Sequence, residues 1–366
     1  MKSLVSPKAC IATLVAAVAI VAVVRARGAT AEFRDPLDQP AAPSRLAATS
    51  PLMAIARAGD RLVAVGHRGH VVTSTDGGAS WLQSQVPVSS DLVGVCFPTG
   101  EEGWAVGHDG VVLHSSDGGR SWQKQLDGRA AAQIALTHYE KLAKADAGRD
   151  KRISQALQDA KRLVQEGADK PFLDVWFENR SVGWVIGAFN SIFHTVDGGK
   201  TWVPWLDRTD NPDAMHLRAI RGDAKRVFIV GERGLILRLD RREERFVASA
   251  KPYPGTYFGV LLAAERIVAF GLAGNAYVSG DDGSTWQKLR TGVSSPLTGG
   301  TVLNDGRLLL VSQGGDVLRT ARESNSLEVL DTSLRMPLYA AIQDGQGRVV
   351  LLGPRGARTF NILAFN

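Results

Sequence analysis

The sequence predicts an all-β fold, a seven-bladed β-propeller with a helical hairpin inserted into it. Three observations lead there. A short motif recurs with a period near 41 residues, a large apolar side chain follows it at a fixed distance, and one stretch, 128–170, interrupts the series with a different composition. A period of this length marks a propeller or solenoid, in which each unit buries its faces on its neighbours.

The motif reads apolar-Val-Gly-x-x-Gly-apolar. It occurs at 64–71 (AVGHRGHV), 105–112 (AVGHDGVV), 185–192 (VIGAFNSI), 229–236 (IVGERGLI), 269–276 (AFGLAGNA), 310–317 (LVSQGGDV) and 352–359 (LGPRGART). Its first glycine position is Gly66, Gly107, Gly187, Gly231, Gly271, Ser312 and Gly353. Three residues later stand Gly69, Gly110, Asn190, Gly234, Gly274, Gly315 and Gly356. Asn is the residue that best tolerates positive φ after glycine, so a tight turn is expected there.

Fifteen residues past the first glycine come Trp81, Trp122, Trp202, Phe246, Trp286 and Leu327, a series of apolar plugs. Four of them end the pattern S/T-x-D-x-G-x-S/T-W, an Asp-box, with Asp76 before Trp81, Asp117 before Trp122, Asp197 before Trp202 and Asp281 before Trp286. The carboxylate can accept backbone N–H bonds, the glycine supplies the unusual dihedrals and the indole packs between sheets, so these residues read as structural. The second copy shows four short strands, 92–97, 103–107, 111–115 and 121–124. Their inner members are nearly continuous in apolar residues, as strands covered on both faces should be. Four strands repeated seven times make a propeller.

The seventh copy stops at Asn366 without an Asp-box, while 32–39 has no blade of its own. That segment is expected to supply the outer strand of the last blade, leaving no open sheet edge at the seam. Ahead of it, Lys2 and Lys8, an apolar run over 9–24 and Ala29-Thr30-Ala31 have the form of an export signal over 1–31, cleaved after Ala31. The expected location is therefore the periplasm; an uncleaved leader would make the protein membrane-anchored instead. Removing 1–31 takes away four basic residues and lowers the formal net charge from +6, so the mature chain is near neutral and nucleic-acid binding is not expected. Of two cysteines, Cys10 lies in the leader, so no intramolecular disulfide is expected at Cys96.

The stretch 128–170 is rich in Ala, Lys, Gln and Leu. Ala131, Ile134, His138 and Leu142 mark one helical stripe, Gly148 stops it, Asp150 caps a second helix, and Ile153, Leu157, Ala160 and Val164 continue to Gly167. In a four-stranded blade the inter-blade connection and the turn between strands two and three emerge on one face. The hairpin should therefore stand over the face that displays His67, Arg68, His108, Asp109, Phe189, Glu232, Arg233 and Arg355. Mixed charges, two imidazoles and an exposed aromatic suit a recognition surface that binds a partner.

Signs of chemistry are sparse. No H-x-x-x-H or C-x-x-C spacing occurs, and His114 and His194 are equivalent strand positions, so neither metal nor cofactor is expected. There is no Gly-x-Ser-x-Gly elbow and no P-loop. The enzymatic alternative is a sialidase-like glycoside hydrolase, since Asp-boxes are typical of such enzymes. Their F-R-I-P motif has only the echo Phe33-Arg34-Asp35-Pro36, and no Tyr/Glu nucleophile pair can be assigned. A further alternative is a propeller that binds a small ligand in its central channel.

From about Leu52 to the C-terminus, V-G-x-x-G-x-apolar followed by S-x-D-G-G-x-S/T-W resembles the photosystem II stability/assembly factor family of BNR-repeat propellers. The resemblance implies a non-catalytic scaffold or assembly factor for a membrane complex. Similar sequences in non-photosynthetic bacteria, some encoded beside RND-type exporters, imply a membrane or envelope protein as partner, an RND-type transporter among the candidates. The helical insertion departs from the photosynthetic pattern. If the leader is cleaved as read, N-terminal sequencing of protein recovered from the source cell envelope should begin at Glu32; a chain beginning at Met1 would show that the leader is kept.

Overall fold

In the computed structural model, which describes residues 34–321, 325–332 and 336–361, the propeller unit begins at Pro36. Seven antiparallel sheets succeed one another along the chain, each with strands paired in sequence order. Their inner strands are Leu52–Ala58, Leu92–Cys96, Phe172–Phe177, Leu217–Gly222, Tyr257–Ala263, Leu297–Val302 and Ala340–Gln343. Among the described residues six sheets have four strands and the seventh, Ala340–Gln343, Arg348–Gly353 and Gly356–Asn361, has three.

The core lies between blades. Buried apolar residues fall into seven clusters, one at each junction around the ring, including the seam where Leu62, Ala64 and Val72 of blade one meet Val350 and Leu352 of blade seven. Side chains alternate along each strand, so one strand serves two clusters: Val63 and Val65 face blade two while Leu62 and Ala64 face blade seven. Both faces being buried, the second strands show the continuous apolar runs read in the sequence. The plug series keeps this order, with Trp81, Trp122, Trp202, Phe246, Trp286 and Leu327 each in or against the cluster shared with the preceding blade.

The Asp-boxes are built as their residues suggest. Asp117 accepts from Ser115 Oγ (2.8 Å), Arg120 N (2.9 Å), Ser121 N (3.0 Å) and Ser121 Oγ (2.7 Å), and Trp122 Nε1 donates to Gly119 O (3.1 Å). Asp76 accepts the same kind of set, and the hydroxyl and backbone N–H of Ser80 hold its carboxyl far below the ordinary value. Each box also latches its blade to the one before. Its glycine carbonyls accept from Thr359 Oγ1 at Gly78, Ser84 Oγ at Gly119, Gln125 Nε2 at Gly198, and Ser249 Oγ at Gly283.

The first motif glycine has a different cause from the turn glycine. Gly107 is extended (φ −172°), and what it needs is room: a Cβ there would lie 2.0 Å from Asp91 O, the acceptor for His108 N. Gly69, by contrast, has φ +69°.

Two sequence expectations change. The described part of segment 32–39, from residue 34, is not the fourth strand of blade seven: Pro36–Asp38 forms a 3-10 turn, and Leu37 is buried in the cluster between blades one and two. Pro36, Pro40 and Pro43 lack the N–H that a ladder strand must donate. The chain then reaches blade one's outer strand, where Gln83 bonds Ala42 O and Ser44 N, and crosses the blade-seven turn at Gly356. It thus takes the course of an inter-blade connection, and the ring closes by packing. The leader, 1–31, lies outside the described residues, as do Glu32 and Phe33.

The inserted helices are α1 (Gly128–Asp146) and α2 (Lys151–Glu166), N-capped by Asp127 and Asp150. Their inward face is wider than the expected stripe. Ala131 and Ala160 of that stripe are buried and Ile134, Leu142 and Leu157 pack against the same cluster, but Ala132, Ala135, Tyr139 and Ala156 are buried as well, while Val164 is exposed. Small residues let the helices sit close to blade three, and Tyr139 reaches between them to donate to Asp207 Oδ1 (2.8 Å). Among the described residues no helix is long and apolar enough to cross a membrane.

Gly107→Ala should cost about 1–3 kcal/mol through the forced shift of the Asp91 backbone, read as a lower urea midpoint. An unchanged midpoint would show that the close approach is not what fixes this glycine.

Candidate functional site

After its second strand each of the first five blades makes the same 3-10 turn, and the middle residue is left-handed: Arg68, Asp109, Phe189, Arg233 and Ala273, with φ between 50° and 58°. This conformation aims the side chain away from the blade, while the next residue, Gly69, Gly110, Asn190, Gly234 or Gly274, is covered. In blade three Asn190 replaces glycine and ties itself down, donating to Leu206 O and accepting from Thr209 and Asn211.

His67, Arg68, His108, Phe189, Arg233 and Arg355 are exposed, and Asp109 and Glu232 are half-buried. The turns are held from the connection that leads into the next blade or, at Asp109, from the one that leads into its own. Asp91 Oδ1 accepts Arg68 N (2.7 Å), Ser90 Oγ donates to Asp109 Oδ2 (2.6 Å), and His216 Nδ1 accepts Phe189 N (3.0 Å). Glu232 accepts His216 N and lies 3.5 Å from Arg218. The structure gathers Phe189, His216 and Glu232 into one connected group; His67, His108 and Arg355 stand on turns of separate blades.

The hairpin stands beside these turns. Gly128, which opens α1, abuts Gly110, and from the end of α2 Lys170 Nζ lies 5.0 Å from the centroid of the Phe189 ring. Between α2 and blade three runs a groove floored by Leu163, Phe189, Leu206 and Ala214 and edged by Arg162 and Lys170. It continues into a recess of about 820 Å³ bounded by Arg152, Asp207, Asp210 and Arg245. Phe189 is 51% exposed, a large aromatic ring half in solvent at the mouth of an apolar groove. Sequence reading missed Asp91 and His216, although both sit directly before an inner strand and so share a repeat position. It also missed Lys170, Leu163 and Leu206, which only the docking of the hairpin brings together.

Asp127 anchors the hairpin's base. It caps α1 through Arg129 N and Ala130 N and pairs with Lys124 and Arg129, while Arg129 also holds Asp38. Burial pushes its carboxyl up, but the Arg129 and Lys124 bonds prevail and hold it at about 2.

The central channel is ringed by the inner strands, with Phe258, Tyr339, Arg218, Asp174 and Arg221 among its lining. Asp174 is consumed by Ile220 N, Val175 N and Arg221. Among the described residues of that lining Asp174 is the one carboxylate. Among the described residues no three His, Cys, Asp or Glu side chains converge to hold a metal. Cys96 is free, and burial raises its thiol to about 11, so it stays protonated.

The family model "Photosynthesis system II assembly factor YCF48" matches residues 52–134 and 153–325, passing over most of α1 and the interhelical turn. No curated protein matches the chain. Similar solved structures include YCF48 bound to D1 peptide, at 15% identity and a TM-score of 0.62, covering 89% of this chain and 97% of that one. YCF48 from Cyanidioschyzon merolae gives 16% identity, 0.61, 87% and 97%. The WD40 β-propeller domain of Doa1 gives 10%, 0.61, 89% and 97%. At these identities the structures establish the propeller fold.

A carboxyl held at about 2, below its usual 3.8, adds stability that is complete above about pH 4 and is lost as pH falls toward 2. Between pH 5 and 2 the wild-type chain should therefore lose about 1–2 kcal/mol more than Asp127→Asn, by chemical unfolding followed at 222 nm. Parallel pH profiles would show that Asp127 is not held down.

Proposed function

We infer the function of this chain from the family to which it belongs, that of the photosynthesis system II assembly factor YCF48: it is a non-catalytic propeller that holds or delivers a polypeptide during assembly of a membrane or envelope complex. The observation that carries this reading is the groove between α2 and the blade-three turn, where half-exposed Phe189 lies with apolar Leu163 and Leu206 beside the ion pairs Arg162–Asp159 and Lys170–Glu166. An apolar anchor with a mixed polar rim is the usual form of a polypeptide-binding hot spot. One similar structure is described as bound to a peptide, in keeping with that mode.

The leader-like segment 1–31 places the protein outside the cytoplasm in this reading, in the periplasm, either freed by cleavage or tethered. The client is then a membrane or envelope protein of a non-photosynthetic cell, with RND-type transporters the first class to test. The turn residues Arg68, Asp109, Glu232 and Arg233 contribute steering and register rather than the bulk of affinity.

A photo-cross-linking residue at position 189 or 162, in intact source cells, should trap one membrane protein that the same residue at Lys288, on the outer strand of blade five, does not trap. Arg162→Glu should lower the yield from 189 several-fold. Equal trapping at 288, or none at 189, would sink this reading.

A further inference from the structure

The junction between blades three and four differs from the Asp-box junctions in a way that the repeat itself makes visible. In blade two Trp104 and His114 pack ring against ring at the blade's outer half (4.8 Å between centroids, tilted by 33°), and both are satisfied: Trp104 Nε1 donates to Gln125 Oε1 (3.1 Å) and His114 Nε2 meets Glu102 (2.6 Å). Gln125 then passes its own N–H to Gly198 O in the Asp-box of blade three, which fills the notch beside it. Blade three repeats the pair as Trp184 and His194, stacked at 4.6 Å. The partners are gone. Val182 stands where Glu102 would, Trp205 stands where Gln125 would, and both Trp184 Nε1 and His194 Nε2 are buried without a hydrogen-bond partner.

The filler is gone as well. Blade four has no Asp-box; its strand runs on to Asp240 and closes with a plain hairpin turn, in which Asp240 accepts from Arg242 N and Glu243 N. What remains is a cleft of about 390 Å³ with Trp184, His194 and Trp205 on its floor and Val182, Val196 and Val203 along one side. Val196 is 64% and Val203 39% exposed. On the other side Arg208 and Arg241 are paired with Glu244 and Glu178, which leaves no uncompensated charge to attract an ion. Blades five and six also precede a blade without the box, but there the two positions are Val268 with Val278 and Leu309 with Arg319, and Arg319 is paired with Glu328. The unpartnered Trp and His pair is thus peculiar to the open junction. Burial holds His194 neutral, its value down at about 4.

We propose that the cleft between blades three and four is a second polypeptide-binding site, which accepts in trans a tight turn presenting a main-chain carbonyl to the Trp205 indole N–H and an apolar side chain to Val182, Val196 and Val203. The occupant's chemistry is read from the other junctions, where a glycine-rich turn occupies the same notch and offers its carbonyl to a side-chain donor of the preceding blade. The site lies on the outer rim and does not depend on the turn-face reading. A failure of cross-links at residue 189 leaves it untouched.

The full chain labelled with 5-fluorotryptophan, with resonances assigned by single Trp→Phe variants, would be titrated with a cyclic peptide of sequence SSDGGRSW, the chain's own Asp-box from blade two. Saturable shifts confined to Trp184 and Trp205 are expected. Trp205→Phe, which removes only the donor, should weaken the Trp184 response at least ten-fold, and thermal unfolding would confirm that this variant folds. Should it not fold, Val196→Glu, which puts a charge on the exposed apolar side of the cleft, is expected to weaken binding in the same direction. No shift at millimolar peptide, or a shift undiminished in the variants, would overturn the proposal. Movement of the same resonances by indole-3-acetate alone, without the peptide, would overturn it in favour of a small aromatic ligand.

Discussion

Each sheet of this protein is buried on both faces by its neighbours, and that double burial is the constraint from which the remainder follows. A four-stranded sheet covered on one side only would leave a row of Val, Leu, Ile and Trp side chains in water, so no blade is stable alone and the ring must close. Closure here is a matter of side-to-side packing at the seam, with Arg348 and Thr359 of blade seven reaching the Asp-box of blade one. The N-terminal segment then runs across the join as any connection between blades would.

Within that frame the Asp-box is more than a local turn. Its carboxylate organises one loop, its tryptophan enters the preceding junction, and its glycine carbonyl is claimed by the blade before it. Where the box is missing, junctions rely on apolar packing and short backbone contacts, such as Phe246 N to Arg208 O between blades three and four. The uneven distribution of boxes around the ring makes the junctions chemically distinct although the fold repeats.

Much of the fold was legible because it depends on spacing. Glycine at Gly66 and its equivalents, tryptophan at Trp81 and its equivalents, and the alternation that follows are periodic, and a period survives in one sequence without any alignment. The hairpin was legible from composition and from Asp150 and Gly167, and its inward face in part, through Ala131 and Ala160. The pairing of Ala135 and Tyr139 with blade three depends on where α1 enters, which Asp127 fixes through its cap. The closing strand was misread because the missing outer strand invited the nearest spare segment, while the prolines within 36–43 argued against it. The turn residues of the candidate site could be read off the repeat. The groove beside Phe189 could not, since Leu163 and Lys170 meet it only through tertiary docking.

The left-handed turn residues bear on how such a protein diversifies. Arg68, Asp109, Phe189, Arg233 and Ala273 share one backbone shape while having nothing in common as side chains. Their conformation is imposed from below by the covered residue that follows and from beside by an inter-blade connection, so its modest steric cost falls on any occupant with a Cβ, whatever its chemistry. Each is therefore a socket: its contents can be exchanged by point mutation without renegotiating the fold. A lineage of such rings can acquire new clients while every junction stays as it was.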